Sequence, residues 1–559
     1  MKVDRRRALA LLGIGAGGGA ATACASTADG GGAGPAAFAH GVASGDPAGD
    51  GAVLWTRVTA ADRARDVRVD WRVLQGERVV RSGRVNAAAD RDHTVKVVVD
   101  GLQPGAEYTY DFTAGGVTSP TGRFRTLPEQ AADVVLAVVS CSLHPGGLFN
   151  AYDAVAKLPR VDAVLHLGDY IYEYGAGPQD YGVGIGQTLG RMPDPPHEIQ
   201  TLDDYRRRHA QYKSDPDLQA AHARAAWITV WDDHETANDS WLGGAQNHQP
   251  EAEGDWGARK ANALRAYYEW MPIREPGAGR SREMIDRSYR FGDIATVHMV
   301  ETRLLARSKQ LDYATDLAMT GDQPDLAEFR AKLNAPDRNL LGASQLGTLR
   351  TALDASVKAG VTWQVLGNQV VMARVRGPDI AKVVPPSQMP AVMAGLDVGI
   401  RGRVERMARL FSNDLPFNLD AWDGYPAERE RLYGAVKATG AHPIVLAGDS
   451  HAFWVNELKD AGGARVAAEF GTTSITSPGF GDAIKAFDVG KVVAAQNEEV
   501  LFSDQAAKGF TLLTLTKTEA RGELLAVSTI LARPYDTRSL GAWRVRPAQG
   551  PGVQAIEKI

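Results

Sequence analysis

Thiols, long apolar runs and excess positive charge are all scarce in this chain. Its 559 residues include two cysteines, Cys24 and Cys141. A disulfide between them would tie the N-terminal leader to the end of a core strand, so we expect both thiols to stay unpaired. No run reaches the roughly 18 to 20 apolar residues of a membrane-spanning helix. The net charge of −5 leaves no basic surface for nucleic acid. The chain has the composition of a globular protein and is long enough for two domains.

The N-terminus has the order of an export signal. Arg5, Arg6 and Arg7 precede a weakly apolar Ala/Gly/Leu segment that ends in small residues. The paired arginines and the glycine-diluted segment favour the twin-arginine export machinery, which carries folded proteins to the periplasm or the exterior. A disordered basic tail is the alternative. Cys24 follows the small residues directly, so lipidation there could anchor the chain to a membrane, although Ala21 stands where lipoprotein signals usually have leucine.

The remaining sequence divides into an all-β part and an α/β part. Residues 1–36 are expected to form the leader and a linker. Short alternating strands between Gly/Pro turns over residues 38–127 predict an immunoglobulin-like β-sandwich. Strand, helix and strand then alternate over residues 133–530, which predicts a layered α/β domain. Residues 531–559 form a C-terminal segment of unassigned role.

Five predicted strands of the α/β part end in polar residues. Ligands bind beyond the carboxyl ends of strands in open α/β sheets, so these ends are expected to meet on one edge. Their side chains include Cys, Asp, Tyr, Asn and His, which are residues that bind metals. The five ends are residues 140–142, 168–172, 232–235, 367–369 and 448–451.

The order of these ends resembles the metallophosphoesterases, and in particular the purple acid phosphatases. Gly-Asp-x-x-Tyr stands at 168–172, whereas Asp-Asp-His at 232–234 and Gly-Asp-Ser-His at 448–451 replace Gly-Asn-His and Gly-His-x-His. Cys141 stands where that group has its first acid. These replacements, with "FAHGVASGDP", "WDDHETANDSW" and "ETRLLARSKQLDY", resemble the PhoD-type alkaline phosphatases over most of residues 38–530. The resemblance implies an α/β fold: a two-sheet metallophosphoesterase core with helices outside, after an immunoglobulin-like domain.

The resemblance also implies a ferric iron and calcium. By this resemblance, the expected iron ligands are Cys141, Asp169, Tyr172 and His451, and Asp169 is expected to bridge to calcium. Thiolate and phenolate suit Fe(III), whereas carboxylate and amide oxygens suit Ca²⁺. The calcium side is completed by Asp233, Asn368 and Asp449. Asp232 remains an alternative to Asp233.

His234 and Asp169 are the expected catalytic residues. His234 is not a ligand by this alignment and is expected near the leaving-group oxygen, as a hydrogen-bond donor or general acid oriented by Glu235. A structural histidine is the alternative. His234 would then also contact the substrate, and Arg303 either clamps its phosphate or forms an exposed salt bridge.

The implied function is that of an exported, metal-dependent alkaline phosphatase. It would hydrolyse phosphate monoesters, diesters or both by in-line attack of a metal-bound hydroxide. The alternatives are a phospholipase D-like phosphodiesterase of the same family and a non-catalytic surface β-sandwich protein. Ser450 in "GDSH" is a poor nucleophile candidate because it lacks the Gly-x-Ser-x-Gly elbow. Substrate choice is expected to depend on the pocket rim, formed by residues 175–200 and 305–340.

Overall fold

The computed structural model describes residues 37–60, 62–320, 323–379, 408–484 and 487–559, together with the single residues 382, 387 and 390. The predicted export leader, the linker and Cys24 lie outside the described residues. Among the helices that are described, none combines the length and the apolar character needed to cross a membrane.

The N-terminal strands form two sheets that share one buried core. β1, β2 and β5 belong to one sheet, and β3, β4, β6, β7 and β8 form the other. Leu54 from the first sheet and Val73, Tyr110 and Phe124 from the second are buried in the same cluster. The strands are β1 (Val42–Ala48), β2 (Gly51–Arg57), β3 (Val67–Gln75), β4 (Arg78–Ala87), β5 (Thr94–Val99), β6 (Glu107–Ala114), β7 (Val117–Thr118) and β8 (Gly122–Arg125).

The first of these sheets continues into the rest of the chain. β1 pairs in parallel with β11, with Ser44 opposite Ala226, so one ten-stranded sheet spans the predicted boundary near residue 130. Its order is β24-β23-β22-β21-β9-β10-β11-β1-β2-β5, and β9, β10 and β11 are parallel. The added strands are β9 (Val134–Val139), β10 (Ala163–His166), β11 (Ala226–Thr229), β21 (Lys508–Leu515), β22 (Ala520–Val527), β23 (Thr537–Val545) and β24 (Glu557–Lys558).

A seven-stranded sheet faces the ten-stranded one. Leu136 and Ile228 from the larger sheet share a buried cluster with Val365 and Leu446 from the smaller one. The order of the smaller sheet is β12-β13-β16-β17-β19-β18-β20, and its β12–β13 pair is antiparallel. Its strands are β12 (Arg287–Phe291), β13 (Ala295–Met299), β16 (Trp363–Gly367), β17 (Pro443–Ala447), β18 (Phe453–Lys459), β19 (Arg465–Gly471) and β20 (Val500–Asp504); β14 (Met319–Thr320) and β15 (Gln323–Pro324) pair separately.

Helices connect the strands, and several begin at side-chain caps. The segment "LDDYRRRHAQYK" forms α3, which begins at a capping box between Thr201 and Asp204. The glycine-rich segment at 175–190, part of the predicted pocket rim, contains α2, which lies between Gly182 and Gly190, both left-handed. The helices are α1 (Asn150–Ala156), α2 (Val183–Leu189), α3 (Leu202–Lys213), α4 (Pro216–Arg224), α5 (Pro250–Glu253), α6 (Trp256–Trp270), α7 (Leu326–Leu333), α8 (Gly342–Lys358), α9 (Pro426–Thr439), α10 (Phe480–Ala483) and α11 (Val489–Gln496).

Candidate metal centre

The five polar strand ends converge, but from two sheets rather than along one edge. Residues 140–142, 168–172 and 232–235 follow the adjacent parallel strands β9, β10 and β11 of the larger sheet. Residues 367–369 and 448–451 lie at the ends of the neighbouring strands β16 and β17 of the smaller sheet. The single edge expected from the sequence is therefore replaced by a site between two facing sheets.

A sulfur, an oxygen and a nitrogen ligand meet at one end of the site. Ligand atoms of Cys141, Asp169 and His451 all lie within 4.8 Å of one another. The Tyr172 hydroxyl is 3.0 Å from Asp169 Oδ2 and 3.4 Å from His451 Nε2. His451 Nδ1 lies 2.7 Å from the Pro478 carbonyl oxygen. Because a carbonyl oxygen can only accept, Nδ1 carries the hydrogen and Nε2 is left to bind a metal.

Four of the predicted ligands have left-handed backbones. Cys141, Asp169, Asp449 and His451 have φ values of 58°, 57°, 54° and 56°. Side chains other than glycine rarely adopt this region, and such strain concentrates at functional sites. The strand ends also approach closely, because a Cβ atom on Gly168 would lie 2.3 Å from the Asp232 backbone nitrogen.

Buried carboxylates continue the site away from Cys141. Asp169, Asp233 and His234 form a second group of close ligand atoms, and Asp232, Asp233 and Asp449 form a third. Asp169 and Asp233 each belong to two groups, so the three groups make a continuous row. Asp169 Oδ1, Asp232 Oδ2 and Asp233 Oδ1 are buried without a hydrogen-bond partner. Unsatisfied buried carboxylate oxygens are costly, and cations are the natural partners for a row of them. The donor set therefore fits bound metal ions.

The electrostatics of the row point the same way. Burial, followed by the charges of Asp233 and Asp232, raises the pKa of Asp169. Burial and neighbouring carboxylates likewise raise the pKa of Asp449, and burial raises that of Asp232 to about 7. Burial and Asp169 also raise the pKa of the Cys141 thiol. A bound cation reverses these shifts, because it stabilises the ionised form of each group.

Asn368 is fixed at the end of β16 by its own contacts. Its Oδ1 accepts a hydrogen bond of 3.0 Å from the Trp422 indole, and its Nδ2 donates to the Val370 carbonyl. An amide oxygen keeps a second lone pair, which remains open to a cation.

Side chains from elsewhere in the fold anchor the chain that follows Asn368. The backbone N–H groups of residues 372–376 have no strand partner, and each donates to a buried or half-buried side chain. The acceptors are Glu469 for residues 372 and 373, Glu499 for 374, Asp423 for 375 and Asn497 for 376.

Glu235 does not orient His234, contrary to the expectation from the sequence. Its carboxylate accepts backbone N–H bonds from Asp169, Tyr170 and Asp232, at 3.0, 2.5 and 2.8 Å. These N–H groups lie beyond the ends of β10 and β11, where the sheet offers them no partner. Glu235 therefore holds together the two turns that carry Asp169 and Asp232.

Glu173 takes the position beside His234. Its Oε2 lies 2.7 Å from His234 Nδ1, and the Tyr172 ring packs with its centroid 4.2 Å from the imidazole. Burial opposes the charge on Glu173, but His234 and hydrogen bonds lower its pKa to about 2. The letters "YIYEY" do not indicate which of these side chains turns toward the 232–235 segment, so the sequence did not identify Glu173.

Arg303 is fully buried rather than part of an exposed salt bridge. Its Nε donates to Asp232, and its Nη1 donates to Asp420 over 2.8 Å. Its Nη2 lies 3.4 Å from Asp449 Oδ1 and 3.7 Å from Asp233 Oδ1. Sequence reasoning missed Asp420, which follows no predicted strand.

Tyr181 is a third residue that the sequence did not reveal. Its hydroxyl lies 3.2 Å from His451 Nδ1 and also donates to the Pro478 carbonyl. Tyr181 lies just before α2, so the glycine-rich segment at 175–190 supports the His451 side of the site.

This fold and this row of ligands define the class of protein. The chain belongs to the PhoD-like phosphatases, because the family model for the PhoD-like phosphatase matches residues 136–524. The model for the N-terminal domain of PhoD-like phosphatases matches residues 23–128.

Individual relatives agree with this assignment. Alkaline phosphatase D of Bacillus subtilis (strain 168) is 34% identical over 501 residues, which cover 86% of this chain and 76% of that protein. A solved structure of PhoD superposes with a TM-score of 0.75 at 30% identity, covering 94% of this chain and 92% of the other. The PhoD-type resemblance is thus confirmed, and the chain is a homologue of an alkaline phosphatase.

Proposed function

We propose that the protein is an exported, metal-dependent alkaline phosphatase whose centre binds Fe(III) and Ca²⁺. The observation that carries this proposal is the continuous row of ligand groups, in which three buried carboxylate oxygens have no hydrogen-bond partner. When bound, the cations supply positive charge for the phosphate oxygens and activation of the attacking water.

The donor atoms support two kinds of metal. The end with Cys141, Tyr172 and His451 offers thiolate, phenolate and imidazole, which suit a transition metal such as Fe(III). The other end offers only oxygens, from Asp233, Asp449 and the Asn368 amide, which suit a hard cation such as Ca²⁺. Asp169 belongs to both ends and is proposed to bridge them.

Two side chains are proposed to act on the substrate. The His234 imidazole is anchored through Nδ1, and its Nε2 is proposed to donate the proton that the leaving-group oxygen takes up. Arg303 can reach a phosphate oxygen only through Nη2, because Nε and Nη1 are held by Asp232 and Asp420. The longer contacts of Nη2 with Asp449 and Asp233 leave that nitrogen the most available.

The finer fold assignments and the cellular location are part of the same proposal. The two facing sheets with outer helices over residues 133–530 are assigned as a metallophosphoesterase core, and the strands of 38–127 as an immunoglobulin-like sandwich. Residues 1–36 are assigned as a twin-arginine leader and linker, which would send the enzyme to the periplasm or the exterior. Lipidation of Cys24 would retain it at a membrane.

Metal analysis and a substrate panel on one preparation test the proposal. We expect about one iron per chain, a visible absorption band, and loss of activity with a calcium chelator that added calcium reverses. Full activity in an iron-free, colourless preparation, or restoration by zinc alone, would contradict the assigned metals. The panel compares p-nitrophenyl phosphate, bis(p-nitrophenyl) phosphate and a phospholipid. Preference for the phospholipid would favour the phospholipase D-like alternative. Inactivity on all three substrates would favour the non-catalytic surface protein.

A further inference from the structure

Glu173 is a buried carboxylate for which the metal assignments provide no role. It follows Tyr172 in the chain, and its Oε2 lies 2.7 Å from His234 Nδ1. We propose that Glu173 is the positioning residue that fixes the His234 imidazole with Nε2 turned toward the leaving group. This inference rests on the proposed function, in which His234 donates the proton.

The carboxylate of Glu173 is itself held rigidly. The side chain is fully buried, and its Oε1 accepts hydrogen bonds of 2.9 Å from the Asn238 backbone and 2.6 Å from Asn247 Nδ2. Both donors lie shortly after His234 in the chain, so one carboxylate fastens the histidine to the loop that follows it. Truncating Glu173 would free the imidazole and the loop together.

The contact with Glu173 also determines which ring nitrogen is available. An ionised carboxylate can only accept, so His234 Nδ1 carries a hydrogen and is held by Glu173, which leaves Nε2 as the nitrogen available to the substrate. The Tyr172 ring, with its centroid 4.2 Å away at an interplanar angle of 32°, blocks rotation of the imidazole on one face. The geometry thus leaves His234 one orientation and one free nitrogen.

The chemical consequence depends on the leaving group. A p-nitrophenolate departs without a proton, whereas an alkoxide needs one in the transition state. General acid catalysis typically contributes about 10²- to 10⁴-fold. A misplaced His234 should therefore slow poor leaving groups selectively and leave substrate binding nearly unchanged.

The test measures kcat and KM for p-nitrophenyl, phenyl and ethyl phosphate in the full-length, metal-loaded enzyme. For Glu173→Ala we expect kcat on ethyl phosphate to fall about 10²- to 10³-fold, against less than about 10-fold on p-nitrophenyl phosphate. Glu173→Gln can still accept a hydrogen bond and should lose less. Iron and calcium content should stay at the wild-type level in both variants.

Glu235→Gln is the matched control. Glu235 is also a buried glutamate, but its carboxylate accepts hydrogen bonds from three backbone N–H groups rather than from the His234 ring. Its substitution should disturb the ligand turns and lower kcat by a similar factor for all three esters. A uniform loss in the Glu173 variants as well would reduce Glu173 to a structural role and overturn the inference.

His234→Ala separates failure of this inference from failure of the proposed function. If the loss of kcat depends on the leaving group in His234→Ala but not in Glu173→Ala, the inference is wrong while the role of His234 stands. If the loss depends on the leaving group in neither variant, both the proton-donor role and the inference are wrong. If it does so in both variants, the double variant should be no slower than His234→Ala. A proton NMR signal from Nδ1–H in the metal-free protein gives a readout free of turnover, and its persistence in Glu173→Ala would also overturn the inference.

Discussion

Cys141 shows how much chemistry one residue can determine in this family. Its thiol is buried, free and within 4.8 Å of ligand atoms of Asp169 and His451. The metallophosphoesterase pattern that the sequence resembles has an acid at this position. A sulfur ligand here would therefore distinguish the proposed iron end from a site made only of oxygen and nitrogen ligands.

Cys141→Ala should abolish the visible absorption band and the bound iron, because thiolate-to-iron charge transfer needs the sulfur. We expect activity to fall at least 10²-fold, with the thermal unfolding midpoint lowered by only a few degrees, since little side-chain volume is lost. Ser142→Ala, which removes a neighbouring buried hydroxyl, should keep both the colour and the iron. Retention of iron by Cys141→Ala would show that the thiol only fills space.

At the scale of elements, the turn after β10 and the turn after β11 pack directly against each other. Gly168 has φ of 107° and faces the Asp232 backbone, and Glu235 binds the amides of both turns. The spacing between Asp169 and Asp233, the two proposed ligands, therefore depends on a glycine and a buried carboxylate that are not among the proposed ligands.

Gly168→Ala tests that dependence. A Cβ there would overlap the Asp232 nitrogen at 2.3 Å, so we expect destabilisation of about 3 kcal/mol or more and weakened metal binding. Gly434→Ala, at an exposed interior position of α9 with open space around its Cβ, should instead stabilise by about 0.5–1 kcal/mol. Chemical denaturation with calorimetric calcium titration measures both effects. Equal stability of the two variants would refute the close-approach argument.

The sequence predicts elements and strand ends better than it predicts partners. Apolar runs that end in Gly-Asp or Asp-Asp locate β10, β11 and β17 and the ligands after them, because strand periodicity and turn chemistry are local. The contacts of Glu173, Glu235 and Asp420 join segments from 3 to 117 residues apart. Such contacts depend on side-chain direction in irregular segments, and no periodicity in the sequence encodes that direction.

For the whole molecule, the continuity of the ten-stranded sheet joins the N-terminal strands to the rest. β1 covers the edge of β11, and Trp55 of β2 is fully buried and donates to the Glu269 carbonyl. The two predicted domains therefore share hydrogen bonds as well as apolar contacts.

A single cooperative unfolding transition is the expected result of this sharing. Circular dichroism and tryptophan fluorescence should give coincident curves in urea. A chain that starts at residue 128 should be insoluble or partly unfolded, because it exposes the β11 edge and the apolar face beneath β2. Two separated transitions, or a stable truncated chain, would contradict the expectation.

Buried histidines make a pH-dependent contribution to the stability of the whole fold. Burial lowers the pKa of His40, His166 and His209 to about 3 and that of His298 to about 4. These residues stay neutral in the folded state, whereas in the unfolded chain they bind protons below about pH 6.5. The contribution of these histidines to the free energy of unfolding should therefore fall as the pH drops from 6.5 toward 4, by up to about 1.4 kcal/mol per pH unit for each histidine.

Carboxyl groups oppose part of this effect. Burial raises the pKa of Asp232, Glu235 and Glu469 to about 7, so these groups take up protons in the folded state first. Burial also raises the pKa of Asp169 and Asp449, so the histidine contribution is measured by difference from a histidine variant. Urea unfolding at several pH values measures the slope of the free energy of unfolding against pH. In His298→Asn this slope should be less positive, by the equivalent of about one proton. The same pH dependence of the free energy of unfolding in wild type and His298→Asn would contradict the histidine argument.

The order of the strands has a consequence for the timing of biogenesis. β9, which leads into Cys141, is flanked by β10 on one side and by β21 on the other. β21 is made some 370 residues later, at Lys508–Leu515. A nascent chain therefore cannot pair both edges of β9 until residues 508–515 have been made. If the site binds iron as proposed, a translation product interrupted before β21 would lack the finished sheet behind Cys141 and would take no iron from the cell.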